Sequence, residues 1–319
     1  MELHWGWFIV IYLFLGGLGA GAYLTSFAAG KGWLGNSPAL QRVGYYISAP
    51  VVAFGTLLLV FDLGQGLKKP WLLIGLLANP RSVMTWGVYI LACFISVGLV
   101  VAYFSLRKRE VPKGLLYFGA ILALATGTYT GLLLAVTKAV PIWNTYLMPV
   151  LFVVSALSTG LSSSSLLSYL IEKGKKTDER KVCKIHFGLV GAEIILLVIF
   201  FGTMLSGLHG AVGVQSAKMI LSGSIAVTFW ILLVGGGLVI PLIVFVNNYK
   251  KLMQYKIRGQ VKLDLVPDMS QAEETAVASE EPDCTRSMLT VDTGVIIGGF
   301  ILRYVMIFAA LPLWNGILQ

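Results

Sequence analysis

Apolar residues in this chain come in eight runs of about twenty or more, and that spacing decides what it can fold into. The runs lie near residues 6–29, 43–65, 83–105, 114–137, 144–171, 187–207, 219–247 and 290–312. As helices rising 1.5 Å per residue, each is long enough to cross a hydrocarbon core of about 30 Å. Charged residues make up 12% of the chain, against roughly a quarter in soluble domains, and mean hydropathy is +0.82. Little remains for a soluble domain. The expected fold class is an all-α integral membrane protein with about eight transmembrane helices.

The net charge of +9 invites a nucleic-acid reading, but the positions of the charges oppose it. Counting aqueous faces alternately from the N-terminus, eighteen of the 24 Lys and Arg fall on the second face and five on the first, with Arg303 inside the last span. That asymmetry is the positive-inside pattern. It predicts a cytoplasmic second face, both termini extracytoplasmic, and basic charge that marks topology, with no nucleic-acid partner. No Lys or Arg precedes Lys31, so the basic region of a cleavable signal peptide is missing and cleavage is not expected. Cys93, Cys183 and Cys284 are scattered without a C-x-x-C, which gives no ligand set for an iron–sulfur cluster held by this chain alone.

Two segments between spans stand out. Residues 264–286 are acidic and poor in bulky apolar residues, so a disordered cytoplasmic loop is expected over about 258–287. Residues 66–82 carry Pro70, Trp71, Leu72, Leu73 and Pro80, too apolar for a free loop and too broken for a span. They are expected at the membrane surface or under a partner protein. A faint repeat is also visible. Gly16-Gly17-Leu18-Gly19-Ala20-Gly21 in the first span matches Ser155-Ala156-Leu157-Ser158-Thr159-Gly160 in the fifth. Two readings stand: two four-helix halves related by an axis along the membrane normal, or small residues recurring wherever membrane helices pack closely.

Ionisable groups inside a membrane are costly and therefore informative. Asp62 lies about one turn below the first face, Glu193 sits in the cytoplasmic half of the sixth span, and Arg303 is near the middle of the eighth. A structural pair and a proton path serve equally well as explanations. The fifth span is rich in hydroxyls, from Ser155 to Ser168, including Ser162. Close packing accounts for them; so does a hydrated half-channel that Ser162 shares with Glu193 and Arg303. His4, His186 and His209 all lie at span ends, and only His4 and His209 share a face, so a pair of haem ligands is not expected. Tyr129, in Thr126-Gly127-Thr128-Tyr129-Thr130-Gly131, is roughly 12 Å below the first face. A tyrosine that deep needs a hydrogen-bond partner, either another helix or a ligand carbonyl.

Together these pieces resemble the membrane subunit family of polysulfide reductase, the NrfD-type anchors. The stretches that carry the resemblance are Tyr12-Leu-Phe-Leu-Gly-Gly-Leu-Gly-Ala-Gly21, Asp62-Leu-Gly, Asn79-Pro-Arg-Ser-Val-Met-Thr-Trp-Gly87, Gly127-Thr-Tyr-Thr-Gly131, Pro141-Ile-Trp-Asn144 and Gly298-Gly-Phe-Ile-Leu-Arg303. The resemblance implies two four-helix bundles, residues 1–139 and 140–319, with a quinone site (menaquinone or ubiquinone) in the first, near the extracytoplasmic face. It implies a ferredoxin-like iron–sulfur subunit and a molybdopterin catalytic subunit as partners on that face, and a terminal substrate such as polysulfide, thiosulfate or tetrathionate handled by the partner. A tyrosine of the fourth span contacts quinone in that family, and Tyr129 matches it. Some members place an Asn and a His in the first span. Here that stretch reads Phe8-Ile-Val-Ile-Tyr12, leaving Tyr12 as the polar contact.

Quinol oxidation releases two protons and two electrons, so the site needs a donor for the carbonyl oxygens, a base and a nearby electron acceptor. Tyr129 can donate, and Asp62 can serve as base close to the surface that receives protons. Arg81, His4, Lys138 and His209 gather on the first face, where they anchor the chain at the interface, touch the head group or dock a partner. Two rivals are kept. A secondary transporter would show helices broken at matching positions of both halves, for which Pro241 is the only interior candidate. A non-redox scaffold would bind the partner subunits and no quinone.

Overall fold

The computed structural model describes residues 6–35, 37–62, 82–172, 179–265 and 285–313. Among them the ordered elements are helical. They are α1 (Trp7–Gly30), α2 (Leu40–Asp62), α3 (Val83–Leu106), α4 (Lys113–Ala135), α5 (Leu147–Glu172), α6 (Glu179–Leu205), the short α7 (Gly210–Ser222), α8 and α9 (Thr285–Phe308). α8 begins as a π-helix over Thr228–Val239 and continues as an α-helix over Ile240–Leu265. Among the described residues eight helices are long and apolar enough to cross a membrane; α7 is not one of them. His4, Arg81 and most of residues 66–82 lie outside the described residues, as do residues 266–284 of the acidic segment. α8 itself is helical to Leu265.

The sixth and seventh spans differ from the expectation at their ends. α6 starts at Glu179, about two turns before the apolar run that marks it. The run over 219–247 straddles a break. The chain turns at Gly207 and Gly210, both at positive φ, forms α7, and breaks again after Ser222 before α8 begins. Hydropathy alone does not see that break, because α7 is itself amphipathic rather than polar. Pro241 stands two positions after the π-helical stretch ends at Val239. Its missing N–H and its ring disturb the turn before it, where Gly235, Gly236 and Gly237 give little resistance. Pro50 also lies inside a helix, α2, so Pro241 is not the sole interior proline.

α1 is the hub. It packs on α2, α4, α5 and α9, while α5 packs on α1, α4, α6 and α9. Lipid gives helices no hydrophobic reason to associate, so close backbone approach has to supply the contact, and small residues permit it. The two stretches of the sequence repeat meet each other in this way. A Cβ on Gly17 would lie 3.3 Å from that of Ala156, and a Cβ on Gly21 or Gly160 would fall inside the backbone of the facing helix. Gly17 and Ala156 hold the same place in the repeat, as do Gly21 and Gly160. Like meets like at two levels of two parallel helices. At the end of the molecule where α1 begins, the α4–α5 loop is fixed by fully buried Trp143, whose indole N–H donates to the Met306 carbonyl of α9 at 2.6 Å. That contact explains the tryptophan in Pro141-Ile-Trp-Asn144.

Candidate functional site

Two sets of buried polar side chains stand out, and α1 touches both. The first is aromatic. Tyr12 of α1 is fully buried and its hydroxyl has no hydrogen-bond partner. Tyr129 of α4 is buried and close enough for the two phenols to interact. The Tyr129 ring occupies the space beside Gly87 of α3, where an added Cβ would overlap it. The glycine at the end of the Asn79–Gly87 motif is thus the floor on which this phenol lies. A buried hydroxyl without a partner forgoes on the order of 1–3 kcal/mol, so Tyr12 marks a place where an acceptor or donor is wanting. Two phenols offer hydrogen-bond donors to an oxygen placed between them.

The other residues expected at this site divide. Lys138 is exposed on the α4–α5 loop. His209 is half-buried and stands immediately before α7. Pro141 and the His209 side chain both approach Gly213, so loop and α7 share one rim. Asp62 is the last residue of α2, and only that placement is described. His4 and Arg81 are outside the described residues.

The second set is charged and lies between α5, α6 and α9. Arg303 is fully buried. Its Nη1 donates to Ser155 Oγ at 2.6 Å and to the Gly299 carbonyl at 2.7 Å, and its guanidinium lies 5.1 Å from the centre of the Phe152 ring. Ser155 also faces the Glu193 carboxylate, so Arg303 and Glu193 meet through a shared hydroxyl. The structure thus brings together two of the three residues expected on a proton path. Ser162, the third, belongs to a second layer two helical turns away.

That second layer is not evident from the apolar runs. His186 lies well inside α6 rather than at a span end, because the helix begins seven residues before it. It is fully buried, stacks on Phe245 of α8 with centroids 4.5 Å apart, and brings Nε2 within 3.5 Å of Asp292 Oδ1 of α9. Ser162 and Ser165 of α5 face the Asp292 carboxylate. The signal is present in the spacing. His186 and Glu193 are seven residues apart, as are Ser155 and Ser162, and Asp292 and Arg303 are eleven apart. Each interval returns a side chain to the same face of a helix.

Comparison with known proteins places the chain in a family. The model of the polysulphide reductase NrfD family matches residues 1–257. The chain belongs to the NrfD family. The C subunit of polysulfide reductase from Wolinella succinogenes is 31% identical over 265 residues, covering 75% of this protein and 82% of the relative. Protein NrfD of Escherichia coli is 29% identical over 274 residues, covering 76% and 84%. A more distant relative, the Hdr-like menaquinol oxidoreductase integral membrane subunit of Archaeoglobus fulgidus, is 22% identical over 242 residues, covering 72% and 59%. This NrfD-family protein is therefore a multi-pass integral membrane protein, related to membrane subunits of oxidoreductase complexes. The family match contains both tyrosines, Gly87, His186 and Glu193. It ends before α9, which carries Asp292 and Arg303.

Proposed function

We propose that this chain is the quinone-reactive membrane subunit of an iron–sulfur/molybdopterin oxidoreductase complex. It exchanges electrons between the membrane quinone pool and an iron–sulfur partner on the extracytoplasmic face. The observation that carries this reading is the pair of buried phenols, Tyr12 without a partner and Tyr129 seated on Gly87. One relative is named as the integral membrane subunit of a menaquinol oxidoreductase. In this reading helices α1–α4 (residues 1–139) form the quinone-binding bundle and residues 140–319 form a second one.

The charge asymmetry along the sequence supports a cytoplasmic second face, with the termini, Lys138 and His209 outside. The quinone supplies two-electron, two-proton chemistry; the chain orients it and moves its protons. Tyr129 and Tyr12 hydrogen-bond its carbonyl oxygens and hold the ring. Asp62 accepts the proton near the outer surface. Lys138 and His209, with Arg81 and His4, contact the head group or the partner subunit. The terminal substrate is transformed in that partner. Glu193, Arg303 and Ser162 serve a proton path from the cytoplasmic side, in keeping with the rule that intramembrane charges mark such paths.

The test is quinol turnover by the assembled complex. Tyr129→Phe and Asp62→Asn should each lower it by about tenfold or more while the complex still assembles. Normal turnover in both variants would reject the quinone role and favour a scaffold. Glu193→Gln with unchanged proton translocation would reject the path.

A further inference from the structure

Of the second polar layer only Ser162 has a part in the reading above; His186 and Asp292 have none, and their placement calls for one. His186 and Asp292 come from different helices, α6 and α9, and are both fully buried. Each stands seven residues from the start of its helix, Glu179 in one case and Thr285 in the other, so both lie roughly 10 Å inside the same face. Ser165 stands seven residues from the other end of α5, at the same depth. The 3.5 Å between imidazole and carboxylate is long for a hydrogen bond, and although Ser162 and Ser165 face the carboxylate, neither His186 nitrogen nor either Asp292 oxygen makes a well-formed hydrogen bond. Ser158 and Ser162, on the way toward Glu193, also have unpartnered hydroxyls. Buried polar groups are nearly always satisfied, and a cluster of unsatisfied ones that is both polar and internal is a place for water and for a proton.

The surroundings set what the cluster can hold. The groups packed around it are Ser155, Ser158, Ser162 and Ser165 from α5, His186 and Glu193 from α6, and Asp292 and Arg303 from α9. α8 contributes Phe245 and Asn248, whose amide donates to Ser287 at 2.9 Å. The guanidinium belongs to the deeper layer with Glu193, so among the described residues no fixed cation neutralises Asp292 other than a protonated His186. An acid and an imidazole that share one cavity can share one proton, giving the pair a charge of zero with it and minus one without it.

We propose that Asp292 and His186 form a proton-exchange station at the cytoplasmic end of the second bundle. The pair takes a proton from the cytoplasm and passes it along the Ser162–Ser158 hydroxyls and intervening water to Glu193, roughly 10 Å deeper. Only O–H and N–H bonds are made and broken. The proton leaves cytoplasmic water, rests on the pair and ends on the Glu193 carboxylate; no electron moves. This rests on the proton path proposed above and extends it to a residue beyond the family match.

The test uses the whole complex in sealed vesicles, with quinol turnover and proton uptake from the cytoplasmic side measured together. Asp292→Asn should leave turnover within about twofold when a protonophore is present, yet lower uptake per quinol by about tenfold or more. Asp292→Glu should restore most of it. If Asp292→Asn does not assemble, His186→Gln carries the same test. Full uptake in the variant while Glu193→Gln abolishes it would overturn the station alone. Full uptake in both, or none in the unaltered complex, would overturn the path as well. Absence of quinol turnover in the unaltered complex would instead remove the quinone reading.

Discussion

The ring of Tyr129 fills the space that a side chain on Gly87 would need. The overlapping atoms are at the far end of the tyrosine, so the phenol can swing aside while both backbones stay in place. Gly87→Ala should therefore leave the protein folded and displace the hydroxyl. We expect quinol turnover to fall about tenfold or more, since misplacing a positioning group by about 1 Å can cost that much. Steady-state kinetics of Gly87→Ala beside Tyr129→Phe will check it. Normal turnover in Gly87→Ala would show that the phenol's placement is not needed.

The α1–α5 seam behaves differently. At Gly160 an added methyl meets the backbone of α1 at Gly21 and Ala22, with nothing flexible to yield. Gly160→Val should force the helices apart, and overpacking costs typically about 1–3 kcal/mol or more. The readout is folded yield in detergent and thermal stability. Gly188→Val, where an added Cβ meets nothing, is the matched control and should be neutral.

Trp143→Phe keeps most of the buried apolar bulk and removes the donor to the Met306 carbonyl. A stranded buried acceptor costs about 1–3 kcal/mol. The variant should melt earlier than the parent and leave residues 137–145 easier to cleave by protease added from that side.

Removing one member of the deeper layer should be worse than removing two. Arg303→Met leaves Glu193 buried without its cation, an arrangement that costs about 3–5 kcal/mol when a buried pair is broken. Arg303→Met combined with Glu193→Gln should recover a large part of that loss. A double-mutant cycle on thermal stability measures the coupling, and strict additivity would show that the two do not interact.

The span count is legible in the sequence because the bilayer acts on each segment separately: a run either is long enough or is not. Tyr129 stands out for the same local reason, its depth from the nearest surface. Glu193 and Arg303 are visible as charges in spans, but not the Ser155 hydroxyl between them, which depends on how three helices face one another. Asp292 and His186 do not stand out, because each sits near the apparent end of an apolar run, where polar residues are ordinary. Only their pairing across α6 and α9 marks them, and pairing is not a local property. The α7 break escapes notice because apolar residues continue through it into α8.

Tyr12, in the aromatic set, stands five positions along α1 from Gly17, where an added Cβ would lie 3.0 Å from Arg303 Nη2. That is a rise of about 7–8 Å along one unbroken helix. One helix thus carries the Tyr12 phenol and also borders the buried guanidinium. A helical rod this short transmits a push with almost no give, so whatever settles against Tyr12 and shifts α1 also shifts the surface on which the guanidinium rests. If the proposed quinone site and proton path both operate, communication between them needs no moving loop and no hinge, only a common strut.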